Sequence, residues 1–434
     1  MTRGSFAIVL LLTGCGGKVE PGARVAVEEA GVSRYAEECV GETTPPSRIE
    51  CTGLFDDVAK YKLADGVREY TPAVPLWSDG AQKRRFIQLP KGEKIDATDP
   101  MEWKFPLGTK VWKEFSFGGK RMETRLFWKT TANHWSRATY AWNDDDTVAK
   151  ASLGGDVPSA DGGVYHIPTG PECDQCHKGR TDRLLGFEQV SLGLDGAQGI
   201  TLKDLVDEKL ITPVPDSTSL TIGDDGTGLA APALAWMHIN CGTTCHNDNE
   251  GATAYGAGML LRLDPTLLDG RAVNDFDPVK TTIGTIVNTP TWAGQRRIVP
   301  GDPDDSLLVK LITTRSTGAD VTTSQMPPIA SRVVDHKDAD AIIAWIAAMP
   351  KAMMTDAGTK PPTGGATGGG GATSTDAGSP PSDNPDPTAR HDAGTVSSGV
   401  KDAGSSARDG GVRDGGVRDG GRITDASIRD GGSD

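Results

Sequence analysis

The sequence predicts a multidomain α+β protein. An antiparallel β domain, sandwich or barrel-like, comes first, a mainly helical domain second and a disordered low-complexity tail last. Three observations predict it. Residues 54–142 hold Trp77, Trp103, Trp112, Trp128, Trp135 and Trp142, most of the nine tryptophans of the chain. Apolar residues recur at helical spacing between 200 and 350. From 351 onward the chain is rich in Gly, Ser, Thr, Pro and Asp and cannot bury enough apolar surface to offset chain entropy.

Residues 1–14 read as an export signal, with Arg3 as a short positive region and Phe6 to Leu12 as an apolar one. Leu12-Thr13-Gly14-Cys15 resembles the lipobox of bacterial lipoproteins. That resemblance implies cleavage before Cys15, lipidation of its thiol, and a chain anchored by lipid to a bacterial membrane, facing the periplasm or the cell surface. No apolar run reaches the length of a membrane-spanning helix. Residues 15–52 form a polar tether, in which Cys39 and Cys51 are expected to pair as a disulfide in an oxidising compartment; two free thiols are the alternative.

The β-rich domain covers 53–170. Arg85–Leu89, Lys110–Phe115 and Glu123–Trp128 alternate polar and apolar residues, the period of half-buried strands. Turn signals separate them at Pro90-Lys91-Gly92, Pro106-Leu107-Gly108, Gly118-Gly119 and Asn143-Asp144-Asp145. Residues 171–229 hold a first cysteine cluster and 230–350 a second. Leu202–Leu210, Ala230–Asn240 and Ser306–Thr313 read as short helices. A longer one starts at a cap, Asp335, carries Ala339, Ile342, Ile343, Trp345 and Ile346 on one face, and ends at Pro350. Short helices joined by long Gly- and Pro-containing loops usually need a cofactor or metal to hold them together. The repeated Arg-Asp-Gly-Gly-Val unit near 408–421 lacks the core-facing apolar position of a calcium-binding repeat.

The formal net charge is -14 and the pI about 5.0. This acidity argues against a nucleic-acid partner, which needs clustered Lys and Arg; it suits cationic redox partners, and a soluble surface alone would also explain it.

Cys173-Asp174-Gln175-Cys176-His177 matches Cys-x-x-Cys-His, the attachment motif of c-type heme. The two thiols add to the porphyrin vinyl groups, and the next residue sets its imidazole under the iron. Zinc would want further ligands at similar spacing, and a redox disulfide a βαβ context. Cys241-Gly242-Thr243-Thr244-Cys245-His246 is the rarer variant with one extra residue between the thiols, and a local disulfide is its alternative. Met326, in Gln325-Met326-Pro327-Pro328, follows the second motif and precedes the last helix, the order found in small class I cytochromes c. Met326 is therefore the expected distal ligand of the second heme. For the first heme the candidates are His238, His166, Met237 and the more distant His134, or an open sixth position.

Several segments together resemble a family of bacterial exported diheme c-type cytochromes with a β-rich N-terminal domain and a cytochrome c-like portion. In the first half these are Gly53-Leu54-Phe55, Pro75 to Ala81, Lys83 to Phe86, Phe105 to Thr109, Glu123 to Leu126, Tyr140 to Asn143 and Tyr165 to Pro168. In the second they are Asn240 to His246, Val299 to Leu307 and Met326-Pro327-Pro328. The resemblance spans roughly 53–349. It implies two covalently bound hemes c, on Cys173 and Cys176 and on Cys241 and Cys245, with His177 and His246 as proximal ligands. It also implies electron transfer to redox partner proteins of the cell envelope, and no settled catalytic activity. The chain departs from the family pattern at the second site, by the extra residue.

Two other classes of function remain open at this stage. One is a diheme oxidase or peroxidase with an open iron, for which His166 and Glu172 are the acid–base candidates. The other is a heme-free surface module whose tryptophans stack on sugars.

Overall fold

The computed structural model describes residue 35 and residues 37–159, 163–316 and 324–353. The export signal, Cys15 and the tail beyond 353 lie outside the described residues. Cys39 and Cys51 are disulfide-bonded, with Cα atoms 5.4 Å apart.

The strands are β1 (Phe55–Asp57), β2 (Lys62–Leu63), β3 (Arg68–Thr71), β4 (Gln82–Gln88), β5 (Ile95–Asp96), β6 (Lys110–Phe117), β7 (Lys120–Thr131), β8 (His134–Trp142), β9 (Ala149–Ser152), β10 (Gly155–Pro158), β11 (Val164–Ile167), β12 (Gln198–Gly199) and β13 (Ile211–Thr212). Seven of them form one antiparallel sheet in the order β12-β3-β4-β6-β7-β8-β9. This is neither a sandwich of two sheets nor a barrel: the end strands β12 and β9 do not pair with each other, and the other sheets have two strands each.

Alternation explains why one sheet suffices. Phe86, Trp112, Leu126, Tyr140 and Trp142 point to one face, where Ile49, Leu54, Phe55 and Val58 cover them. Their sequence neighbours Ile87, Val111 and Phe127 point to the other face, where Leu184, Phe187, Leu202 and Leu205 pack. The expectation of half-buried strands thus gives way to a sheet buried on both sides in its centre, because both parities are apolar there.

The helices are α1 (Gly170–His177), α2 (Gln189–Gly193), α3 (Leu202–Asp207), α4 (Ala230–Met237), α5 (Asp277–Lys280), α6 (Leu307–Ile312) and α7 (His336–Ala348). Asp335 caps α7 by accepting from the Asp338 N–H, and Ala339, Ile342, Trp345 and Ile346 are buried on its inner face. They join Ala233, Leu234, Met237, Leu261 and Leu308 in a third core. No helix among the described residues is long and apolar enough to cross a membrane.

The expected boundary at 170 does not separate two bodies. β12 adds to the edge of the sheet and β13 pairs in parallel with β5. A buried ion pair fastens the same segment to the sheet: Lys129 Nζ lies 2.6 Å from Asp182 Oδ2. Asp182 also accepts from Trp135 Nε1 at 2.9 Å and from the Phe105 N–H at 2.6 Å. Fully satisfied, such a network gives the chain that follows α1 one fixed position on the sheet.

Candidate functional site

Helix α1 carries the whole first motif. Pro171 stands in its first turn, where a missing N–H costs nothing. The Thr169 N–H and Oγ1 both donate to Glu172 Oε2 at 2.8 Å. Cys173 and Cys176 are free thiols. Burial pushes both thiols up, Cys176 to about 12. His177 follows at the end of the helix. Its Nδ1 donates to the Arg183 carbonyl at 2.5 Å, and its ring stacks on Phe127 with centroids 4.1 Å apart. Burial, with Lys113 nearby, holds this imidazole well below its ordinary pKa, so it is neutral. An Nδ1–H given to a carbonyl fixes the tautomer whose Nε2 lone pair is available to a metal, the arrangement of ligating histidines.

These three side chains line a cavity of about 890 Å³, in the size class of pockets for small molecules. Its opposite wall is unusual for a sheet. Lys83, Arg85, Lys113 and Arg125, from β4, β6 and β7, all face it. Burial, Arg85 and Arg125 together push Lys113 down to about 7.

The second motif is built differently. α4 runs into a π-helical turn over His238–Gly242. The Thr243 N–H donates to the His238 carbonyl, and the His246 N–H to the Cys241 carbonyl, both five residues back and both at 2.8 Å. This wider turn absorbs the extra residue of the motif, and Cys241, Cys245 and His246 line one cavity. Gly242 is required there, since a Cβ would lie 2.5 Å from the backbone nitrogen of Arg262. Both thiols are free, and burial pushes Cys241 up to about 12. Burial and Arg297 push His246 down to about 4, and its Nδ1 is buried without a hydrogen bond among the described residues. Met326 lines the same cavity, and so does Met259. The Met326 loop is held by Gln325, which donates to the Pro327 and Ser331 carbonyls at 2.9 and 3.0 Å and accepts from the Ser316 N–H at 2.8 Å. The cavity measures about 160 Å³. That is below the roughly 300–1,000 Å³ of pockets for small molecules. By volume, the first cavity has room for a ligand of porphyrin size and the second is several times smaller.

The two motifs touch. A Cβ on Gly179 would lie 1.8 Å from the Thr244 carbonyl oxygen, so the chain leaving the first motif packs backbone to backbone against the second. Thr253 Oγ1 donates to the Gln175 carbonyl at 3.0 Å, and Asn249 Nδ2 to Thr181 Oγ1 at 3.1 Å. Cys176 and Trp77 line both cavities.

No protein-family profile, characterised protein or solved structure matches this chain.

Among the described residues no cluster of three or more His, Cys, Asp or Glu side chains has the geometry of a metal site. Zinc would need such a cluster; heme iron draws four donors from the porphyrin and needs only one or two from the protein. The donor sets present, two thiols and one neutral imidazole per cavity, fit c-type heme.

The distal candidates for the first heme separate. His238 is 1% exposed, and both its ring nitrogens are engaged: Nδ1 accepts the Leu263 N–H at 2.8 Å and Nε2 faces Glu188 at 3.3 Å. This geometry conflicts with iron ligation by His238. Glu188, fifty residues away, is a partner that the local sequence does not reveal. Met237 is core and His134 is exposed at the β7–β8 turn. His166 lines the first cavity, with Nδ1 2.6 Å from Asp156 and Nε2 3.1 Å from Glu172.

Sequence reasoning missed the cation wall, Gly179 and Gln325. The cations did leave a signal: Arg85, Lys113 and Arg125 share the parity of the apolar Ile87, Val111 and Phe127.

Proposed function

We propose that this chain is a diheme c-type cytochrome that carries electrons in the cell envelope. Its hemes attach to Cys173 and Cys176 and to Cys241 and Cys245. One observation carries the reading: two complete Cys-Cys-His sets, sixty-odd residues apart in sequence, pack against each other and open on cavities that meet at Cys176 and Trp77. A single attachment motif arises by chance more easily than two brought into contact.

Each heme, when bound, supplies an iron that gains and loses one electron. The protein's part is to hold it. His177, fixed by the Arg183 carbonyl and Phe127, presents a neutral Nε2, and His246 is kept neutral by burial. Met326, on a loop that Gln325 fastens, is the distal donor at the second site. Contact between the motifs keeps the path between the sites short. Under this reading Cys15 bears the lipid anchor, and the acidic surface meets cationic redox partners.

One observation favours a second reading, an oxidase- or peroxidase-like enzyme. No methionine is among the described residues lining the first cavity, and His166, paired with Glu172, stands on its wall as an acid–base candidate. A high-spin first heme would select this reading; a low-spin one selects the carrier. Four of the six tryptophans of the β domain, Trp103, Trp112, Trp135 and Trp142, are buried core and out of reach of a sugar.

The test is the mass of the denatured protein after expression with the c-type maturation machinery. Two added hemes are expected, with one lost in Cys173→Ser/Cys176→Ser and the other in Cys241→Ser/Cys245→Ser. No mass gain would end the cytochrome reading, and a single gain the diheme one.

A further inference from the structure

The first cavity has a wall whose charge the fold itself does not explain. Arg85 is the register partner of Lys113 across β4 and β6, and Lys113 of Arg125 across β6 and β7. Three cations therefore stand side by side on one face of the sheet. Like charges directly opposite one another destabilise a sheet, and burial makes this worse. Arg85 is 3% exposed. Arg125 pairs with Glu123, its Nε 2.9 Å from Oε2. Among the described residues, Arg85 and Lys113 have no acidic side chain within ion-pair distance. The same face carries the apolar Ile87, Val111 and Phe127, and its further charged residues have partners: Glu123 pairs with Arg125, Lys129 with Asp182 and Arg137 with Asp174.

The cations and the first motif share one cavity. Phe127, two residues from Arg125 on β7, is the ring on which His177 stacks. A heme carries two carboxylates on the half of the ring opposite its vinyl groups. Fixed to α1 by those vinyl carbons, it would carry these carboxylates into the cavity that Arg85, Lys113 and Arg125 line. Arginine binds carboxylate through paired N–H groups, and lysine as a point charge.

We propose that Arg85, Lys113 and Arg125 form a carboxylate seat that holds the two propionates of the heme attached at Cys173 and Cys176. This rests on the reading of that cavity as a heme site. The seat offsets like-charge repulsion that exists in the heme-free protein, and it raises the potential of the first heme by placing positive charge at its edge.

The experiment uses the full chain, matured and heme-free, with Lys113→Met, and Arg85→Gln as a second variant. In matured protein both variants are expected to keep two hemes in the denatured mass. Potentiometry is expected to show one heme shifted to lower potential and the other unmoved. In heme-free protein, Lys113→Met is expected to melt at or above the wild-type temperature, because it removes repulsion. Unchanged potentials with both hemes retained would overturn the seat and leave the cytochrome reading standing. A lower melting temperature for heme-free Lys113→Met would make the lysine a structural residue and also overturn it. Inorganic phosphate that binds heme-free wild type, with potentials indifferent to both variants, would reassign the wall to a free anion. Wild type that gains no heme at the first motif would remove the underlying reading, and the seat with it.

Discussion

The two cavities carry the same trio of donors in opposite surroundings. The first lies between a sheet and a regular helix, is roomy, and is walled by cations. The second lies among short helices, is narrow, has an apolar wall with two thioethers, and reaches its donors through a π-helical turn. Under the proposed function, the chemistry of attachment would be a property of the motif, and the electronic character of each site a property of what faces it. A thioether opposite imidazole favours reduced iron. Under the proposed function the two sites would therefore be tuned by different means, the first by cations and the second by a thioether.

The most severe way to break this pairing is at the joint between the motifs. Gly179→Ala would drive a methyl into the Thr244 carbonyl oxygen, and that backbone cannot step aside. The loss of stability is expected at or above the upper end of the roughly 1–3 kcal/mol typical of overpacking. Chemical denaturation of the heme-free chain measures it. Wild-type stability in this variant would mean that the motifs are not in contact.

Met326→Ala is the next largest test, and it acts on one side of the comparison only. It should leave both hemes attached, lower the potential of the second, and abolish the long-wavelength absorption band of sulfur-ligated ferric heme. A band that survives would move the ligand to another residue, with Met259 on the same wall as the first to try.

A third test sharpens the contrast in charge. Lys113 is pushed down to about 7 from an ordinary 10.5. Between these values the unfolded chain holds the proton that the folded chain has released. Stability of the heme-free protein should therefore rise as pH climbs from about 7 towards 10.5, and Lys113→Met should flatten that rise. Thermal melts across this range, compared between the two proteins, check it. Equal slopes would mean that Lys113 titrates normally.

Much of this architecture was legible in the residues. The aromatic alternation of Lys110–Phe115 and Glu123–Trp128, the Asp335 cap with the apolar stripe of α7, and the Cys39–Cys51 pair are local signals, and the structure contains each feature. What stayed hidden is non-local. β12 and β13 are two residues each and exist only because a distant strand offers an edge. The engagement of His238 depends on Glu188 and Leu263, neither of which lies near it in the chain. The extra residue of the second motif looked like a defect because spacing was judged on a regular helix, and the π-helical turn removes the conflict. Alternation alone assigned the cations of β4, β6 and β7 to solvent, since nothing in a single strand reveals that both faces of a sheet are covered.

The Gly179–Thr244 contact acts like a gauge block. Its thickness is that of two main chains, which no substitution of neighbouring side chains can thin or thicken. Electron tunnelling falls steeply with separation, so a spacing clamped in this way removes the most sensitive variable from play. Under the proposed function, such a path would be retuned only through the energies of its two ends, where the cations on one side and Met326 on the other could change without disturbing the span.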